Sequence, residues 1–137
     1  MKCKSCKKEL QNKYSKYCSI NCQHDFQHKM YVEKWKLGLV DGNRGINTRN
    51  LSRHIVKYLY NKYNTKCSLC GWDKQNPFSN LPVLEVDHID GNSENNSENN
   101  LRLLCPNCHS LTENYKNLNS KQGRSWRKAK YLKNMPR

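Results

Sequence analysis

The residues of this chain that could carry out chemistry are concentrated between positions 67 and 119. Two Cys-x2-Cys pairs enclose an Asp-His pair, Asp87-His88, an Asn-rich loop that ends at Asn100, and a second histidine, His109. The cysteines of the two pairs are Cys67, Cys70, Cys105 and Cys108. Thiolates with this spacing can converge on one tetrahedral zinc ion, because each pair supplies two sulfurs from a tight turn. Such an ion would be structural, and it would leave Asp87, His88 and His109 available for chemistry.

This arrangement resembles the HNH nuclease family. Zinc-bearing members of that family have a Cys-x2-Cys pair, an Asp-His at the end of a strand, an Asn before Leu-x-Leu-Leu-Cys, and a final Cys-x2-Cys-His. The same elements stand here as Asp87-His88, Asn100-Leu101-Arg102-Leu103-Leu104 and Cys105-Pro106-Asn107-Cys108-His109. The resemblance implies a ββα-metal unit, in which a hairpin followed by a helix holds a catalytic divalent ion, either magnesium or manganese.

The resemblance also implies a role for each matching residue. His88 would be the general base, and Asp87 and His109 would hold the catalytic metal ion. Asn100 would pin the loop that positions His88, because its spacing to His109 matches that of the family. The other candidates in the same loop are Asn95, Asn96 and Asn99.

A physical argument supports these roles independently. Successive side chains of a strand point to opposite faces, so His88 lies on one face while Glu85 and Asp87 lie on the other. The turn signal Asp90-Gly91 indicates that the strand ends nearby, where adjacent residues can both face one site. Phosphodiester hydrolysis needs an activated water, charge neutralisation and help for the departing oxygen. A neutral histidine can provide the first, and a divalent ion the other two.

Composition places the chain among basic proteins stabilised by metal ions. Its 137 residues carry a formal net charge of +14, with 35% hydrophobic residues and eight cysteines. A chain with so few hydrophobic residues does not build a large single core, and metal ions are the expected remedy. We find no signal peptide or apolar run that could cross a membrane, and the sequence predicts a cytoplasmic, reduced protein. Residues 67–112 have two basic residues, Lys74 and Arg102, against six acidic ones, whereas both flanks are strongly basic.

A second cysteine group opens the chain. Its members are Cys3, Cys6, Cys18 and Cys22. The two pairs predict a second structural zinc ion, with redox chemistry or unpaired thiols as the alternatives. The surrounding residues look like the small zinc knuckle that precedes the nuclease unit in some phage-encoded relatives.

Two helices are predicted between the cysteine groups. The first runs from Asp25 to Leu37 and is ended by Gly38. The second begins near Asn50 or Ser52 and runs to about Tyr63, with one apolar face. Basic residues fall mostly on its other faces, namely Arg49, Arg53 and Lys57. These cations either form a solvated face or contact a DNA backbone, and both readings stay open.

Basic and aromatic residues alternate beyond Asn119, after a predicted helix over residues 111–118. The candidate DNA contacts in this tail are Lys121, Arg124, Arg127, Lys128 and Lys130. Alone such a segment would be a solvated tail, whereas beside a nuclease it reads as an arm for the DNA backbone.

The sequence therefore predicts a small α+β protein with a zinc module at residues 1–30, a basic helical connection at 31–66, an HNH nuclease unit at 67–119 and a basic tail at 120–137. We expect a divalent-metal-dependent endonuclease for double-stranded DNA, phage-encoded or of the homing type, that nicks one strand per active site and leaves 5′-phosphate and 3′-hydroxyl ends. The alternatives are a zinc-finger regulator that does not cut and an RNA-directed nuclease. Monomer and DNA-induced dimer both stay open.

Overall fold

Three helices and one two-stranded hairpin form the regular structure of the described part of the chain. We describe a computed structural model, in which residues 1–45, 50–113 and 115 are defined. The elements are α1 (Ile20–Lys36), α2 (Arg53–Lys62), β1 (Glu85–His88), β2 (Leu101–Leu104) and α3 (Pro106–Ser110), with a 3₁₀ turn at Glu98–Asn100. The predicted α+β class is confirmed. Within the described part of the chain, no helix combines the length and the apolar character needed to cross a membrane.

The first compact unit ends at Val40 and consists of the N-terminal cysteine module and α1. The Ser19 side chain caps α1 by accepting a hydrogen bond from the Cys22 N–H, at 3.2 Å. The helix therefore starts within the cysteine module, more than one turn before the predicted start at Asp25. The predicted end is confirmed, since α1 stops before Gly38, which has a φ of +75°. The predicted module boundary at residue 30 falls inside this helix.

The second unit begins at Asp41 and contains α2 near its start. The Ser52 side chain caps α2 by accepting a hydrogen bond from the His54 N–H at 3.3 Å, and Tyr63 ends it, as predicted. Ile55 and Leu59 lie one turn apart on the predicted apolar face, and both are fully buried. The charged faces therefore remain available for solvent or for a partner.

The hairpin supplies the rest of the core. Strands β1 and β2 are antiparallel, with Val86 opposite Leu103 and Asp87 opposite Arg102. Leu103 and Leu104 are fully buried and pack in one cluster with cysteines of the central group. Half-buried aromatic residues cover that cluster, namely Tyr60, Tyr63 and Trp72. The core of this unit is therefore small and directly continuous with the central cysteines.

The final helix differs from the prediction. Cys105 caps α3, Pro106 occupies its first turn, and the helix ends at Ser110. The predicted helix over residues 111–118 is wrong at its start, because Leu111 is the C-cap residue and is 85% exposed. Pro106 is a strong helix-start signal, since proline suits the first helical turn. Residues 114 and 116–118 lie outside the described residues, as does the predicted tail.

Because Leu103 is fully buried, Leu103→Ala should lower the free energy of unfolding by about 2–5 kcal/mol. The loss combines removed apolar contact with the cavity left in the hairpin core. Urea denaturation followed by circular dichroism measures it. The exposed Leu111 provides the control, since Leu111→Ala should change the unfolding free energy by no more than about 0.5 kcal/mol. Equal losses for both variants would contradict the assignment of the core.

Candidate active site and metal centres

The four central cysteines converge on one point. The sulfur atoms of Cys67, Cys70, Cys105 and Cys108 all lie within 4.8 Å of one another. The Sγ atoms of Cys70 and Cys105 are 3.7 Å apart, and tetrahedral zinc with bonds of about 2.3 Å places neighbouring sulfurs about 3.8 Å apart. Cys67 begins a tight turn in which its carbonyl accepts from the Gly71 N–H, at 2.9 Å. The donor set and its spacing therefore fit a structural zinc ion.

The ionisation of these thiols also favours a cation. Burial raises the pKa of the Cys67 thiol, but backbone hydrogen bonds at Cys105 and Cys70 outweigh burial and lower that pKa to about 6. A hydrogen bond to Cys70, together with burial, raises the pKa of the Cys108 thiol to about 12. Thiolates this close repel one another, so they do not all ionise unaided. A divalent ion with affinity for sulfur removes that repulsion.

The N-terminal cysteines form a second group of the same kind. The sulfurs of Cys3, Cys6, Cys18 and Cys22 again lie within 4.8 Å of one another. The Sγ atom of Cys18 is 3.5 Å from those of Cys6 and Cys22. All eight cysteines of the chain are free thiols. Both predicted cysteine groups are thus assembled, and both fit zinc.

Asp87 lies at the centre of the candidate active site. Its side chain is 7% exposed, and Oδ2 accepts a hydrogen bond of 2.8 Å from Nε of Arg102 on the facing strand. The other oxygen, Oδ1, lies 3.9 Å from Nε2 of His109. Arg102 therefore occupies one carboxylate oxygen and balances its charge, while the second oxygen faces the imidazole.

His109 projects from α3 towards the hairpin. Its Nδ1 is hydrogen-bonded to Oε2 of Glu85, which shares a face of β1 with Asp87. Tyr115 packs edge-on against the ring, with centroids 5.5 Å apart. The contact with Glu85 leaves Nε2 directed at Asp87. A carboxylate oxygen and an imidazole nitrogen are both donors for divalent ions, and these two atoms face each other at 3.9 Å.

An asparagine of the loop between the strands contacts the His88 ring. Nε2 of His88 is 2.8 Å from Oδ1 of Asn96, for which the sequence predicted no role. Asn100, which the resemblance assigned to the loop, makes its contacts in the loop after β1. Its Nδ2 donates to Oδ1 of Asp90 at 2.9 Å and to the carbonyl of Asn95 at 2.8 Å. The catalytic roles of Asn100 and His88 stay predictions, whereas the direct contact to the ring belongs to Asn96.

Asp90 organises the same loop. Burial raises the pKa of its carboxyl group, but hydrogen bonds from the side chains of Asn95 and Asn100 and the backbone of Asn92 outweigh burial and lower it. A lowered folded-state pKa stabilises the loop above the ordinary aspartate pKa, and the effect is lost as the pH falls through the folded value. The loop that carries Asn96 is therefore held in place at neutral pH.

Three residues of the site were missed by sequence reasoning: Glu85, Asn96 and Arg102. Period-two alternation already placed Glu85 beside Asp87. Arg102 could be identified only from the strand register, and Asn96 only from the path of the loop. Of the predicted DNA contacts, Arg53 and Lys57 are exposed on α2. The others lie outside the described residues, namely Arg49, Lys121, Arg124, Arg127, Lys128 and Lys130.

A hairpin followed by a helix, joined by four converging thiols and presenting a carboxylate and imidazoles, is the arrangement of a ββα-metal unit. The family comparison agrees: residues 67–114 match the sequence model of the HNH endonuclease family, and this part of the chain is an HNH endonuclease domain. The chain is also similar to the H-N-H endonuclease F-TflIV of Escherichia phage T5, with 50% identity over 48 residues. That match spans 34% of this chain and 20% of the phage protein. No solved structure matches the chain.

Protein washed free of weakly held ions should contain two zinc ions per chain, one for each cysteine group. Cys105→Ser should lower the content to one and unfold the second unit, because binding of a structural zinc ion contributes on the order of 10 kcal/mol to folding. Metal analysis and circular dichroism check both statements. Ser68→Ala, which changes a neighbour of Cys67 outside the donor set, serves as the control and should keep two ions. A wild-type content of one ion would exclude one of the two sites.

Proposed function

We propose that this chain is a divalent-metal-dependent endonuclease that hydrolyses phosphodiester bonds of double-stranded DNA. One active site cuts one strand and leaves 5′-phosphate and 3′-hydroxyl ends. The observation that carries the proposal is the arrangement around Asp87: one carboxylate oxygen faces Nε2 of His109 at 3.9 Å, and His88 follows on the same strand of an HNH domain. The zinc-finger regulator and the RNA-directed nuclease offered by the sequence are tested by the same experiments.

The position of each side chain in the site determines its chemical role. His88 lies at the end of β1 and accepts the proton of the attacking water. Asp87 and His109 are the ligands for magnesium or manganese. When bound, such an ion neutralises phosphate charge and assists the departing oxygen. Arg102 balances the charge of the buried Asp87 through its hydrogen bond of 2.8 Å.

Glu85 orients His109. By holding Nδ1 it fixes the ring, so that Nε2 stays directed at Asp87. Histidine ligands of metal ions commonly pair their second nitrogen with a carboxylate in this way, which fixes the tautomer and strengthens the ligand. Glu85 would thus act on the metal site without contacting the DNA.

Charge supports DNA as the substrate. The chain has a formal net charge of +14, and its acidic residues are concentrated in the HNH domain, where cations are to be bound. Arg53 and Lys57 are exposed on α2, opposite the buried Ile55 and Leu59. Phosphate contacts of this kind position a protein without reading sequence. The similarity to an H-N-H endonuclease of Escherichia phage T5 supports a phage-encoded endonuclease.

Purified full-length protein should convert supercoiled plasmid to nicked circle with magnesium or manganese, and a chelator should stop the reaction. His88→Ala should slow nicking by at least about 100-fold while DNA binding and both zinc ions remain, because only the base is removed. His24→Ala, at an exposed histidine of α1, should cut normally. Cleavage of RNA with intact DNA would favour the RNA-directed nuclease. DNA binding without cleavage under all metal conditions would favour the regulator.

Glu85→Gln should weaken binding of the catalytic metal ion and leave the function of the base unchanged. We expect the metal concentration for half-maximal nicking to rise by about 10- to 100-fold, with the rate largely restored at saturating metal. Asp87→Ala and His109→Ala should also be partly rescued by metal, since they remove ligands. His88→Ala is the contrast, because no metal concentration should rescue it. Equal metal requirements for Glu85→Gln and wild type would exclude the orienting role.

A further inference from the structure

We propose that Asn96 is a positioning residue for His88, and that a tight turn at Asp41–Asn43 holds Asn96 in place. The amide keeps the proton of the His88 ring on Nε2, so that Nδ1 carries the lone pair that accepts a proton from water. This inference rests on the proposed function, because it takes His88 to be the general base. It adds a residue from the Asn-rich loop and a turn from before α2 to the catalytic apparatus.

The orientation of the Asn96 amide follows from its other contacts. Its Nδ2 donates to the carbonyl of Asp41 at 3.0 Å and to Oδ1 of Asn43 at 3.2 Å. Both of those partners accept hydrogen bonds, so the amide NH₂ group must face them. Oδ1 then faces His88, at 2.8 Å from Nε2. Because an amide oxygen only accepts hydrogen bonds, the proton must lie on Nε2 of the neutral ring.

The turn that holds Asn96 is itself braced by α2. Within the turn, the Asn43 N–H donates to Oδ1 of Asp41 at 2.9 Å. The Gly42 carbonyl accepts from the N–H of Ser52, the cap of α2, at 2.8 Å. Asn96 is 6% exposed, so water does not readily replace these partners. A chain of contacts therefore runs from α2 through the turn and Asn96 to the His88 ring.

Gly42 shows how closely the turn approaches Asn96. Its φ of +80° suits glycine, and a Cβ added there would lie 2.8 Å from Cβ of Asn96 and 2.8 Å from Cδ1 of Ile55. Gly45 has the same φ of +80°, but a Cβ added there would meet none of the described residues within 4 Å. The two glycines therefore separate backbone strain from displacement of the side chains packed on Gly42, which are those of Asn96 and Ile55.

The Asn-rich loop contains a matched control residue. It repeats Ser-Glu-Asn-Asn, as Ser93–Asn96 and as Ser97–Asn100. The last asparagine of each copy is buried: Asn96 against His88 and Asn100 against Asp90. Asn99 lies in the same repeat and is exposed. Asn99→Ala thus changes the same residue type in the same loop without touching the contact to His88.

Nitrogen NMR of the zinc-loaded full chain, labelled at histidine, observes the contact directly. His88→Ala assigns the His88 signals by their loss. We expect the neutral ring to carry its proton on Nε2, with that proton protected from exchange in wild type and Asn99→Ala. In Asn96→Ala the protection should be lost. A ring protonated on Nδ1 in the wild-type protein would overturn the proposal, whatever the behaviour of Asn96→Ala.

Single-turnover nicking at saturating protein and metal provides the second measurement. Asn96→Ala should cut about 10- to 100-fold more slowly than Asn99→Ala, because a misplaced base loses much of its effect. Gly42→Ala should be slowed more than Gly45→Ala. Rates within twofold for both pairs, in protein that keeps two zinc ions, would overturn the proposal. Wild-type cutting by His88→Ala would instead refute the proposed base, and the NMR result would still decide whether Asn96 holds the ring.

Discussion

The convergence of Cys67, Cys70, Cys105 and Cys108 is the constraint on which the HNH domain depends. The first pair precedes the hairpin, and the second pair caps and begins α3. Joining them fixes the start of α3 against β1, and His109 directly follows the last cysteine. The cysteine cluster therefore sets the distance of 3.9 Å between Nε2 of His109 and Oδ1 of Asp87. A small core of leucines would not position so short a helix with this accuracy, whereas four thiols that converge on one point can position it.

The two proposed metal ligands, Asp87 and His109, each have a partner that can carry the opposite charge. Arg102 and Glu85 lie at the edges, one paired with Asp87 and the other with His109. Each partner occupies one atom of Asp87 or His109 and leaves the other atom facing the gap. Carboxylates and imidazoles without such partners would be free to rotate. The proposed cation site is thus held in one arrangement although its surroundings are only partly buried.

His88 depends on a different set of contacts. It lies on the opposite face of β1 from Asp87, and its ring is reached by the loop between the strands and by the turn before α2. The proposed base and the proposed metal ligands are therefore supported by separate parts of the same unit. This separation explains why residues far apart in the sequence, such as Asn43 and Asn96, contribute to the surroundings of one imidazole.

The sequence by itself determined the cysteine groups and the Asp-His pair, because ligand spacing is a local property, and the resemblance to the HNH family supplied the class of fold. It also placed α2 and its apolar face, since caps and helical periodicity are read over a few residues. Tertiary structure decided which asparagine reaches His88: Asn95, Asn96, Asn99 and Asn100 are chemically identical, and only the path of the loop separates them. It likewise decided that Arg102 faces Asp87, because strand register is a relation between segments. The end of α3 at Ser110 could not be predicted from local sequence either. The apolar spacing of residues 111–118 favoured a helix that starts at Leu111, whereas Leu111 is the exposed C-cap residue of α3.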